Sequence, residues 1–160
     1  MVHKILSLDL GSNTGWCYLE DGKIINSGVA TFKKHKDEKP GKKFFEFQNF
    51  LIDFNGVDEI YYEIVPRTMS RYAAEVYHGF LAILHVFNYS MDIRCSGIYS
   101  GTWKKEFTGK GNAKKHEVCK QAIDIGWLNG KAGTDQKNDE ADSIGVAFAI
   151  QQKRGITVTF

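Results

Sequence analysis

The sequence predicts an α/β fold, a five-stranded mixed sheet made of a three-stranded antiparallel meander plus two parallel strands, flanked by helices. Three observations predict it. The first 32 residues read as short runs of strand pattern, with the hairpin signal Asp21-Gly22 between two of them. Two later apolar runs, Glu59 to Val65 and Met91 to Cys95, each follow a stretch of helical spacing. A right-handed crossover through such a helix lays the later strand parallel to the first.

From Lys4 to Leu10, Ile5, Ser7 and Asp9 fall on one face and Leu6, Leu8 and Leu10 on the other, which marks a central strand. Gly11 to Gly15 reads as a turn, Trp16 to Glu20 as the second strand and Lys23 to Phe32 as the third. After a lysine-rich loop containing Pro40-Gly41, Phe44, Phe47, Phe50, Leu51 and Phe54 mark a helix over residues 42–55. Tyr72, Val76, Phe80, Ile83, Leu84 and Phe87 mark the next. Two further helices are expected over 114–125 and 138–152, separated by the glycine-containing linker Gly126 to Gly133.

The chain of 160 residues fits a single domain spanning 1–160, with no internal repeat. Its 42% hydrophobic and 25% charged residues argue against general disorder. A net charge of +2 says little by itself, but the lysines are clustered. Residues 33–43 and 104–120 each carry six lysines against two acidic residues, enough to track phosphates. Cys17, Cys95 and Cys119 have neither the count nor the spacing of a disulfide framework or a zinc knuckle. The opening MVHKILSLDLGS is too briefly apolar for a signal segment and no 18-residue apolar span occurs, so no membrane association and a cytoplasmic location are expected.

Asp9 stands near the end of an otherwise apolar strand, and Glu63 poses the same problem in YYEIVP. Burial of either is costly unless a cation or hydrogen bonds compensate it. If the two strands are parallel neighbours, both carboxylates project from one edge of the sheet. In NDEADSIGVAFAI, Asn138 reads as an N-cap, Ala141, Ile144, Ala147 and Phe148 turn inward, and Asp139 and Asp142 share one helical face near the N-terminus. Glu140 reads as ordinary charge complementing the helix dipole.

Four carboxylates without a histidine or cysteine ligand set point to hard cations, Mg²⁺ or Mn²⁺, and away from zinc. The chemistry implied is phosphoryl transfer with two ions per site, about 3.5–4 Å apart. In the segment TWKKEFTGKGNAKKHEV the glycines expose backbone N–H groups and Lys104, Lys105, Lys110, Lys114 and Lys115 offer phosphate partners, so it reads as a segment that grips a nucleic-acid strand, with a solvated lysine-rich loop as the alternative.

These residues resemble the RuvC family of Holliday junction resolvases, most closely its phage-type members, along nearly the whole chain. LSLDLGSNTGW is similar to the opening motif at Asp9 and YYEIV to the second at Glu63. TGKGNAKKHEV resembles the family's G-K-G-x-A-x-K segment, placing Lys110 and Lys115 on its lysines, and DEAD resembles the D-x-A-D helix at Asp139 and Asp142. The resemblance implies an RNase H-like fold and a homodimer. It implies a Mg²⁺-dependent endodeoxyribonuclease that nicks two opposed strands of a four-way junction, as in DNA recombination and repair. Asp9, Glu63, Asp139 and Asp142 would hold two ions, and Lys115 or Lys110 would steady the developing charge.

Two departures stand out. The turn after Asp9 is a residue shorter than in the bacterial members, with Leu10 in place of proline. The aromatic that those enzymes carry shortly after the second carboxylate is replaced by Pro66 and Arg67, leaving Arg67 and Tyr72 as candidates for DNA contact there. The family dimerises through the helix after the second carboxylate, and Gly79 in that helix is expected to allow close approach of a second copy.

Three other readings fit parts of the sequence. LDLGSNTG also resembles the first phosphate loop of actin-like ATPases and sugar kinases, but the chain lacks a second lobe and a second D-x-G-G motif. A non-catalytic binder of branched DNA would keep the fold without needing four acids near phosphates. Forks, flaps or RNA–DNA hybrids are alternative substrates for the same chemistry.

Overall fold

A computed structural model describes residues 2–33, 38–65, 69–128 and 135–155. Along them run β1 (Lys4–Asp9), β2 (Asn13–Glu20), β3 (Lys23–Thr31), α1 (Lys42–Ile52), β4 (Glu59–Ile64), α2 (Arg71–Met91), β5 (Arg94–Tyr99), α3 (Ser100–Thr108), α4 (Lys115–Asp124) and α5 (Asp135–Lys153). The strands form one sheet in the order β3-β2-β1-β4-β5. β2 pairs antiparallel with β1 and β3, while β4 pairs parallel with β1 and β5. The mixed α/β arrangement expected from the sequence is therefore the observed one. Asp21 and Gly22 both take positive φ, 46° and 83°, the backbone that a two-residue hairpin turn requires.

The alternation in β1 divides the core. Leu6, Leu8 and Leu10 face α1 and α2 and join Phe47, Phe80 and Leu84. Ile5 lies on the other face with Trp103, Val118 and Ile144 from α3, α4 and α5. Phe47 and Phe80 stack at 4.1 Å between ring centroids, nearly coplanar at 3°. Burial of each such ring stabilises the fold by roughly 1.5–3 kcal/mol.

Several elements differ from expectation, each for a local reason. β2 starts at Asn13 rather than Trp16, because Asn13 to Gly15 continue the ladder to β3 and Gly15 also pairs with Asp9. α2 runs on to Met91 because Phe87 and Asn88 are still buried, and Asp92, with φ 55°, caps it. The fifth strand consequently begins at Arg94 rather than Met91. The lysine-rich segment, where no helix is expected, contains α3, whose Trp103 and Phe107 are buried one turn apart; only residues 109–114 connect it to α4.

α5 begins at Asp135, so Asn138 is an interior helical residue and not the N-cap. The helix is buried nearly all round between the sheet and α3 and α4, which its run of small and aliphatic residues permits. Gly145 makes room for the Trp103 ring, since a β-carbon there would lie 2.4 Å from it. Gly79 has an internal use as well: a β-carbon on it would meet the Phe44 ring at 2.2 Å. The glycine lets α1 approach α2 within one chain, so it does not provide the close contact expected with a second copy.

Candidate active site

Leu8 of β1 and Tyr62 of β4 are parallel partners, so Asp9 and Glu63 stand side by side at the same edge of the sheet. The turn after Asp9 is tightened by Thr14, fully buried, whose hydroxyl donates to the Gly11 carbonyl at 2.8 Å. Behind Glu63, the Tyr77 hydroxyl of α2 donates to the Glu63 carbonyl at 3.1 Å. Over the same face, α5 is tied down by Ser7, whose hydroxyl donates to the Ser143 carbonyl at 2.8 Å. That bond fixes the residue next to Asp142.

The result is a compact acidic centre. Carboxylate oxygens of Asp9, Glu63 and Asp142 all lie within 4.8 Å of one another. Glu63 and Asp142 are buried and Asp9 partly so. Burial first, then repulsion from Glu63, Asp142 and Asp139, holds the Asp9 carboxyl well above its ordinary value, with Lys115 drawing it part of the way back. Burial and Glu63 likewise push Asp142 up to about 7, opposed by Lys104 and Lys115.

One Asp142 oxygen, Oδ1, is buried without a hydrogen-bond partner among the described residues. An orphaned buried oxygen beside two more carboxylates fits a hard divalent cation, which would satisfy it and cancel the repulsion. No cluster of this kind that includes histidine or cysteine occurs among the described residues.

Asp139 sits one helical turn before Asp142, and its Oδ1 lies 3.5 Å from the Lys115 ammonium at the start of α4. Burial works against the Lys115 charge, but Asp139, Asp142 and Asp9 outweigh it and hold its pKa above the ordinary range. All four expected carboxylates thus belong to one neighbourhood, three of them in the tightest group. Because α5 starts earlier than expected, Asp139 and Asp142 lie beyond its first turn, and neighbouring lysines act on them where the helix dipole was expected to.

The lysines divide. Lys104 in α3 acts on Asp142, and its ammonium lies 5.4 Å from the Trp103 ring centre. Lys105 and Lys114 are exposed. Lys110 pairs with Glu117 at 3.2 Å, so of the two lysines considered for charge stabilisation, Lys115 is the one beside the acids. Tyr72, 53% exposed in the first turn of α2, has the Lys43 ammonium 4.8 Å from its ring centre. Lys43 itself is buried and paired with Glu75 at 3.0 Å. Arg67 lies outside the described residues.

The sequence does not single out Ser7, Thr14 or Tyr77, and Lys43, counted there among the lysines able to track phosphates, is buried instead. Ser7 could have been found as a hydroxyl on an apolar strand face; Lys43, inside a phenylalanine-rich helix, carries no local signal of burial.

A mixed sheet in this strand order, covered on both faces by helices and carrying acids at the shared edge of β1 and β4, is an RNase H-like fold. Among solved structures the chain is similar to RuvC of Thermus thermophilus, with a TM-score of 0.74 at 14% identity, covering 96% of this chain and 97% of that one. It is similar to Thermus thermophilus RuvC in complex with a Holliday junction substrate, with a TM-score of 0.73 at 15% identity over 96% and 97% of the two chains. It is also similar to the yeast mitochondrial Holliday junction resolvase, with a TM-score of 0.65 at 19% identity over 95% of this chain and 81% of that one. The chain shares its fold with these resolvases, as the four sequence motifs led one to expect. No protein-family model and no curated protein sequence matches it. No helix among the described residues is long and apolar enough to cross a membrane.

Proposed function

We propose that this protein is a metal-dependent endodeoxyribonuclease that resolves four-way DNA junctions by paired, symmetric nicks, acting as a single nuclease domain in the cytoplasm of a bacterium or of a phage-infected host. The observation that carries the reading is the convergence of Asp9, Glu63 and Asp142 at one sheet edge, in a chain whose fold is that of resolvases.

Asp9, Glu63, Asp139 and Asp142 would hold two Mg²⁺ ions, with Mn²⁺ as a substitute. Such ions polarise a phosphoryl oxygen and lower the pKa of bound water. Around them the chain's own side chains do the positioning. Lys115 pairs with Asp139 and places a positive charge where the scissile phosphate would enter. Lys104 and Lys105 on α3, and Lys110 and Lys114 on the connection to α4, offer contacts to the backbone of the strand. Tyr72 presents an exposed ring for stacking on a base near the crossover, with Arg67 on the preceding segment as a phosphate partner.

Two-fold symmetry in the substrate suits a homodimer. Support for one comes from a shallow apolar groove of about 340 Å³ between α1 and α2, lined by Ile52, Ile83, Val86 and Met91. Ile52, Val86 and Met91 are exposed, together with the nearby Tyr89.

The reading is tested by mapping cuts on an immobile four-way junction labelled on each strand in turn. Nicks at symmetric positions on two opposed strands, with ends that a ligase can seal, are expected. Equal cutting of forks, flaps or linear duplex would keep the chemistry and remove the junction assignment. Tight binding without cutting would leave a branched-DNA binder, and ATP binding in place of DNA cleavage would favour the actin-like alternative.

A further inference from the structure

The position opposite Asp9 across the β1–β2 ladder is Gly15. A β-carbon built there would lie 1.8 Å from the Asp139 carbonyl oxygen and 2.5 Å from its carbonyl carbon. Both are backbone atoms, so no rotamer change relieves the overlap. Gly15 lies in a strand paired on both sides, by β1 and by β3. The N-terminal turns of α5 meet the sheet through side chains rather than a backbone ladder, among them the bond from the Ser27 hydroxyl to Glu140 Oε1 at 2.6 Å. Any side chain at position 15 therefore pushes this end of α5 outward rather than opening the ladder.

We propose that Gly15 is a positioning residue that sets the size of the acidic centre: its missing side chain lets α5 seat Asp139 and Asp142 close enough to Asp9 and Glu63 for a small divalent ion. The inference rests on the metal reading above. Restoring even a tight 3.0 Å contact from 1.8 Å requires a retreat of about 1.2 Å at Asp139. Mg²⁺ demands near-ideal octahedral geometry with oxygens at about 2.0–2.1 Å, whereas Ca²⁺ accepts about 2.3–2.6 Å in flexible arrangements. A retreat of that size matters to the first ion far more than to the second.

The test compares Mg²⁺ and Ca²⁺ binding by calorimetry to the wild-type protein, Gly15→Ala and Gly145→Ala, with folding checked by circular dichroism and melting. Gly145→Ala is the stability control, because the atoms nearest its β-carbon belong to the Trp103 and Phe107 side chains and not to backbone. Gly15→Ala is expected to lose about 10–100-fold in Mg²⁺ affinity and much less in Ca²⁺ affinity. Gly145→Ala should lower melting temperature while keeping the wild-type preference between the ions.

Equal losses for the two ions in Gly15→Ala, or no loss, would overturn the proposal. If Gly15→Ala does not fold, Ser27→Ala, which releases the neighbouring restraint, should show the same selective loss on a smaller scale, and an unchanged preference overturns the proposal. If the wild-type protein binds neither ion, the metal reading fails on its own. The crystal structure of Gly15→Ala then decides the positioning claim, upheld by an outward shift of α5 at Asp139 of about 1 Å and overturned by its absence.

Discussion

Lys115 and Asp139 face each other across the gap between α4 and α5, ammonium to carboxylate oxygen at 3.5 Å. Asp142 and Asp9 lie within the same field, since both also act on Lys115. On the proposed function, a cation so placed would turn from acid to phosphate on binding DNA and metal. Replacing Lys115 with Ala should slow single-turnover junction nicking by about 10²–10³-fold, the scale seen when one preorganised positive or hydrogen-bonding group is lost. Lys115→Arg should recover part of that rate, while junction affinity changes little in either variant.

Without a bound cation the acidic centre should cost the fold stability. Asp142 titrates near 7 in the folded protein against an ordinary value of 3.8. Between those values the folded state keeps a proton that the unfolded chain has released, so stability falls as pH rises through this window and stays low above it. Melting temperature measured in EDTA should therefore decline from about pH 4 to pH 7. Asp142→Asn should lessen that decline, with the raised Asp9 carboxyl supplying the remainder, and melt higher at pH 8, at about 2–4 °C per kcal/mol for a chain of this size.

Mg²⁺ should reverse the same loss. Metal replaces the proton, so affinity should rise with pH toward 7 and binding should release protons. At pH 8 a hundredfold excess over the dissociation constant should add about 2.7 kcal/mol, read as a higher melting temperature that EDTA removes. Asp9→Asn and Glu63→Gln should each lose most of this increment.

The groove between α1 and α2 yields a separate expectation. Val86, 67% exposed at its rim, should tolerate Val86→Asp without loss of folding. Light scattering should then report a monomer where a dimer is expected of the wild-type protein, and coordinated nicking of the two strands should give way to single cuts.

The lysines should separate by role in salt titrations of junction binding. Lys104→Ala, Lys105→Ala and Lys114→Ala should each lower the slope of log affinity against log salt by about 1 if each contacts one phosphate. Lys110, already paired with Glu117, should contribute less.

The sheet and four of its helices were legible, most clearly where β1 alternates and the phenylalanines of α1 and α2 repeat at helical spacing. The carboxylates were legible as acids in apolar strands and in an apolar helix. α3 was missed because lysines and glycines dominate its composition; Trp103 and Phe107, four residues apart, were the signal. β5, with Arg94, Ser96 and Gly97, has little of a strand's character and owes its place to the ladder with β4. The use of Gly79 could not be read locally either, since a glycine within a helix looks the same whether Phe44 of its own chain or a second copy fills the space.

The central claim is that Asp9 and its partners hold metal for cutting branched DNA. The most direct measurement is cleavage of a labelled immobile four-way junction by the wild-type protein and Asp9→Asn, each in Mg²⁺ and in EDTA. We expect paired nicks from the wild-type protein in Mg²⁺ alone, with the variant still binding the junction but leaving it intact. Cleavage that survives EDTA, or an Asp9→Asn variant that cuts at the wild-type rate, would contradict it.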